Sequence, residues 1–150
     1  MHISTIKKDY FLVLAIFVSF IIQSIFLFLF KSRLGHTLPT RFNLNGTVSA
    51  VFQYKTSILL PGILFLLLLH IGSFIIYRFL PAVLNRIPLI TNYVKNAKYI
   101  ATLLCWYIES LSWVILLYFF THTTLPMLWV NILFLLLLFI LTIHKVKKAM

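Results

Sequence analysis

Carboxylates are nearly missing from this chain: among 150 residues only Asp9 and Glu109 carry one, against 13 lysines and arginines. A catalytic pair of intramembrane aspartates is therefore excluded. Cysteine is scarcer still, and because Cys105 is single, no intramolecular disulfide, CxxC redox pair or cysteine metal cluster can form. Cys105 lies within an apolar segment and is expected to be inert. GxSxG and HExxH are also absent, so no hydrolytic centre and no zinc protease site is expected. His70 and Glu109 would need further ligands to hold a metal, and His36 and His122 fall near segment ends, far from both. The chain reads as a non-enzyme without metal or cofactor.

What is abundant is hydrocarbon. Hydrophobic residues make up 62% and charged residues 10%, whereas soluble domains average about half and about a quarter. Folded in water, such a chain would expose several runs of about twenty apolar residues. An integral membrane protein follows. The formal charge of +11 would suggest nucleic acid in a soluble domain, but the cations sit at the ends of apolar segments. That placement suits topology signals and membrane lipid headgroups, so no nucleic-acid partner is expected.

Four windows can cross a hydrocarbon core of about 30 Å, which takes about twenty helical residues. They cover about 10–30, 57–79, 98–120 and 125–143, with a loop over 31–56. The first window, followed by "KSRLGHTLP" with no small-x-small site, is read as a retained anchor. Lys7, Lys8, Arg78, Arg86, Lys95, Lys98, Lys145, Lys147 and Lys148 flank one side, and Lys31, Arg33, Arg41 and Lys55 the other. That bias predicts both termini in the cytoplasm and the 31–56 loop outside. The expected fold is all-α: a polytopic four-helix transmembrane bundle, one domain over 1–150, with a short external hairpin between helices 1 and 2. The second loop, "LPAVLNRIPLITNYVKNAK", contains Pro81 and Pro88 and is expected as a short broken helix along the inner interface.

Polar residues inside the windows stand out because each must find a partner where lipid offers none. An uncompensated charge at the depth of Glu109 costs about 2.5 kcal/mol or more, so Glu109 is protonated, paired or set in a wet cavity. At a rise of about 1.5 Å per residue, His70, Glu109, Asn131 and Gln23 all fall about 13 to 20 Å from the inner end. Every helix thus brings one polar group near mid-depth. Thr102, Cys105, Trp106, Glu109, Ser112 and Trp113 share one face of the third segment, as Gly62, Leu66, His70, Ser73 and Tyr77 do in the second. Two readings stand: interhelical hydrogen bonding that holds the bundle, or a proton-titrating Glu109–His70 pair in a path or pocket.

The external loop has its own local logic. Asn45-Gly46 is a favoured two-residue hairpin turn, and the flanks "RFNL" and "TVSAVF" alternate as half-buried strands do. Phe42, Leu44, Val48 and Val51 or Phe52 would pack on the helix ends, leaving Arg41, Asn43 and Asn45 for a partner. Here a resemblance enters. Leu38-Pro39, Phe42-Asn43, Gly46, Tyr54-Lys55 and Pro61, in that order, resemble the loop signature of the bacterial SdpI-like membrane proteins. Arg41 stands where that family usually has His, and Ser49 where an acid often follows the Gly. The resemblance implies a non-enzymatic protein of the bacterial cell membrane, acting in toxin-peptide immunity or membrane signalling through this loop. Arg41, Phe42, Asn43, Asn45, Gly46 and Lys55 would then contact a peptide or membrane-protein partner or hold the loop.

Overall fold

A backbone in hydrocarbon must satisfy its own N–H and C=O groups, and long runs of Leu, Ile and Phe do so as helices. The computed structural model describes residues 3–84, 86, 97–123 and 126–149. Helix α1 (Ile3–Leu29) leads through a single 3-10 turn (Lys31–Arg33) to strands β1 (Thr37–Phe42) and β2 (Val48–Gln53). Helices α2 (Leu59–Leu84), α3 (Ala97–Thr121) and α4 (Met127–Ala149) follow. Among the described residues three helical stretches are long and apolar enough to cross a membrane: Tyr10–Leu29, Leu59–Leu84 and Ala97–Thr121. In α4 the apolar stretch Met127–Ile140 is shorter than a span.

Helices α2, α3 and α4 run past their expected C-terminal ends. Helix α2 continues beyond position 79 through Pro81 to Leu84, where the proline lacks the N–H that would bond the Tyr77 carbonyl. The remainder of the expected broken helix, residue 85 and residues 87–96, lies outside the described residues.

Helices α1, α2 and α3 pack together at Gly62. A Cβ there would lie 3.4 Å from the Phe119 ring of α3 and 3.6 Å from Leu27 of α1. The missing side chain lets three backbones approach, as small residues do in membrane bundles. The main core spreads from this point toward the hairpin and joins Leu27, Leu66, Ile115 and Phe119 to Leu34, Leu38 and Ile58. A smaller cluster of Leu12, Ile16, Tyr77 and Cys105 fills the opposite half.

The hairpin exists, but its turn differs from expectation. Asn43 N donates to Thr47 O at 2.8 Å and Gly46 N to Asn43 O at 2.9 Å, so three residues, Leu44 to Gly46, form the connection. Gly46 has φ 85 while Asn45 stays at negative φ, which gives the three-residue loop with a left-handed glycine rather than a two-residue turn. The register pairs Thr37 with Gln53 and Phe42 with Val48, and shifts between Pro39 and Phe42. Thr40 on β1 and Ser49 on β2 each fall out of the paired register there, which kinks the ribbon locally. Leu38 and Pro39 are buried, and Phe42 meets the Tyr118 ring edge-on at 5.7 Å. Leu44, Val51 and Phe52, expected to pack down, are instead exposed.

Candidate functional site

The cluster at mid-depth begins with Gln23 of α1, which is fully buried. Its Nε2 donates to Ser112 Oγ of α3 at 2.8 Å and to Ser19 Oγ, one turn away, at 3.2 Å. Ser112 in turn donates to the carbonyl of Glu109 at 2.7 Å. Ser19 also accepts from the Trp113 indole N–H at 3.0 Å, and its oxygen lies 3.4 Å from His70 Nε2. Three helices are therefore joined through one serine hydroxyl.

His70 of α2 is held at both ring nitrogens. Its Nδ1 lies 2.7 Å from the Leu66 carbonyl oxygen; a carbonyl only accepts, so Nδ1 carries a proton. Phe20 packs against the ring edge at 5.4 Å. Nε2 then faces Glu109, with Oε2 at 3.2 Å. Glu109 is only 7% exposed, and neither carboxyl oxygen makes a well-aligned hydrogen bond. The distance suits an ion pair, while the angles leave the carboxyl group underused. Two arrangements satisfy Nε2 and Oε2: imidazolium facing carboxylate, or neutral imidazole facing carboxylic acid. Each holds one proton between them and has no net charge.

Glu109 also forms the back of a cleft between α1 and α3. About 160 Å³ in volume, it is lined by Leu12, Ala15, Ile16, Ser19, Cys105, Trp106, Ser110 and Trp113 besides Glu109. Both indoles are partly exposed on the flank of the bundle.

Of the four residues expected at mid-depth, Gln23, His70 and Glu109 come together. Asn131 does not join them: it accepts a hydrogen bond from Tyr107 OH on another side of α3, where Tyr107 stacks on Phe134 at 4.2 Å. Ser19 is the member that sequence reasoning missed. Its spacing of four from Gln23 was the available signal.

At the hairpin, the candidate residues divide by role. Asn43 Nδ2 donates to Thr47 Oγ1 at 2.8 Å, and Asn45 Oδ1 accepts from the Thr47 amide at 3.1 Å and hydroxyl at 2.7 Å. Both asparagines thus hold the turn, Gly46 forms it, and Phe42 anchors the strand. Arg41 and Lys55 are exposed, as are Leu44, Val51 and Phe52. The result is a basic and apolar surface on a hairpin that is fastened from below. No group of three or more His, Cys, Asp or Glu that could hold a metal occurs among the described residues. No family model, curated protein or solved structure matches the chain.

Proposed function

We propose that the protein is a non-enzymatic, multi-pass protein of a bacterial cell membrane, with both termini cytoplasmic and its hairpin outside, acting as a recognition platform for a peptide. The observation that carries this reading is the combination of a seated hairpin with an unusual exposed surface. Leu38, Pro39 and Phe42 hold the strands against the helices, while Leu44, Val51 and Phe52 stand exposed beside Arg41 and Lys55. Exposed apolar side chains on a fixed scaffold, ringed by cations, suit a peptide that carries apolar residues and a carboxylate. The SdpI-like order of loop residues supports peptide immunity or signalling as the use. In this reading α4 completes a four-helix transmembrane bundle, with Leu141 to Ile143 extending its apolar stretch.

The test is protection of living cells. A photoreactive residue at Phe52 should crosslink a peptide ligand on the cell surface, and Arg41→Ala with Phe52→Ala should remove protection against that peptide without lowering the amount of protein in the membrane. Full protection by the double variant would sink the proposal.

A second reading is favoured by the His70–Glu109 pair: a proton-linked transporter or channel component. A polar pair closed off for packing alone would have no opening beside it, yet Glu109 lines a cleft. Glu109→Gln should then abolish proton-coupled flux and leave hairpin-dependent protection intact.

A further inference from the structure

The cleft between α1 and α3 joins three features that a simple packing defect would not share. Its volume of about 160 Å³ is close to the engineered void of about 150 Å³ that holds one benzene, so the head of a slender ligand fits. Glu109, which lines the cleft, carries a carboxyl group that is more than nine-tenths buried, has both oxygens covered and makes no well-aligned hydrogen bond. At its sides stand Trp106 and Trp113, whose ring faces attract cations. Trp113 also borders a largely apolar groove of about 370 Å³ with Phe26, Phe30, Leu117 and Phe120, which runs toward the hairpin end and includes one cation, Arg33. A carboxyl group, two indoles and an adjoining apolar groove together describe an ammonium head with an alkyl tail.

We propose that this cleft binds a lipophilic ammonium ion from the membrane, and that each cation bound at Glu109 displaces one proton from the His70–Glu109 pair. The inference rests on the proton-linked reading above. Charge dictates the exchange. Without ligand, the pair holds one proton between Nε2 and Oε2 and is neutral. A cation added to that state would leave one net positive charge in a low-dielectric interior, whereas losing the shared proton to water restores neutrality. His70 then keeps its Nδ1 proton on Leu66, and the bare Nε2 accepts the Ser19 hydroxyl that already lies 3.4 Å away. Glu109, now a carboxylate, receives the ammonium from the cleft side.

Other titratable or charged groups do not substitute for this pair. From α1 the site is faced by Ser19 and Gln23, which do not titrate in water's range; from α2 by His70; and from α3 by Cys105, one turn from Glu109. Tyr107 is engaged with Asn131 on a different side of α3. Lys98 and Arg78 line a separate cavity, with Tyr10 and Pro81, at the end opposite the hairpin.

The experiment uses the full chain in nanodiscs of zwitterionic lipid, with Trp129→Phe removing the tryptophan outside the cleft. n-Decylammonium is titrated while tryptophan emission reports binding and a pH indicator in weak buffer counts protons; n-decanol serves as the uncharged control. The expected result is saturable binding with one proton released per ammonium, and an apparent affinity rising about tenfold per pH unit while the pair retains its proton. Glu109→Gln should weaken binding at least tenfold. Ala15→Leu, which fills the cleft from α1, should do the same while leaving the infrared carboxyl and imidazole bands of the His70–Glu109 pair unchanged. Two outcomes overturn the inference: decylammonium binding that neither variant weakens, or decanol binding just as tightly. If the infrared bands of the pair change with pH but no saturable ammonium site exists, the inference falls and the proton-linked reading survives. If saturable binding occurs with no change in those bands and no proton released, the proton-linked reading falls, and the exchange with it.

Discussion

Glu109 Oε2 lies 3.2 Å from His70 Nε2, across the boundary between the two helices that pack most extensively in the bundle. Each of the two groups makes the other tolerable in the interior. Their geometry also implies an asymmetry, because His70 has a second anchor at Leu66 and Glu109 has no comparable one.

Replacing His70 with Leu should therefore destabilise the protein by about 3 kcal/mol, since breaking a buried pair leaves the other ionisable group uncompensated. The double variant His70→Leu with Glu109→Leu should recover most of that loss, as apolar pairs of similar volume do. Resistance of helix packing to denaturing detergent measures both. If the double variant is no more stable than the single one, the two residues are not coupled.

Gly62 should accept Ala but not Leu. A Cβ at this position meets Phe119 at 3.4 Å and Leu27 at 3.6 Å, which is ordinary contact, so Gly62→Ala should shift stability by less than about 1 kcal/mol. A leucine has no room without moving α2 away from α1 and α3, and overpacking of this kind costs about 1–3 kcal/mol. Equal stability of the two variants would place the close approach elsewhere.

In the hairpin, Gly46→Ala should cost about 1–2 kcal/mol of local stability because φ 85 places its Cβ against the following carbonyl. Asn is tolerated better in that region, so Gly46→Asn should cost less than Gly46→Ala. Hydrogen exchange at the amide of Asn43, which closes the turn on Thr47 O, reads the effect directly. Identical exchange in both variants would remove the left-handed residue from the account of the turn.

Helix existence was legible because a run such as "ILFLLLLH" in lipid has one good backbone solution, and the hairpin was legible from Asn45-Gly46 between alternating flanks. The turn type was not, since the choice depends on where Asn43 and Thr47 pair across the strands, and dipeptide preference does not encode that. Exposure of Val51 and Phe52 was missed for a different reason: β2 is exposed on both faces from Ser49 to Gln53, so alternation along it marks no buried side. At mid-depth, rise per residue gave the height of Gln23, His70, Glu109 and Asn131 correctly enough to suggest one cluster. Height says nothing of azimuth, and Asn131 faces Tyr107 instead. Ser19 escaped notice because a lone serine in an apolar helix carries little signal until its neighbours are placed.

The orientation of the chain can be tested with its own single cysteine as an internal control. Cys105 is 1% exposed and should not react with a membrane-impermeant maleimide in intact cells. Gln53 is exposed on β2, and Gln53→Cys, a surface change worth less than about 0.5 kcal/mol, should preserve the fold. The lysine and arginine bias predicts the hairpin outside, so intact cells carrying Gln53→Cys should label at once while the parent protein stays unlabelled. Labelling only after permeabilisation would mean an inverted chain. Arg41 and Phe52 would then face the cytoplasm, and recognition of an external peptide by the hairpin would be impossible.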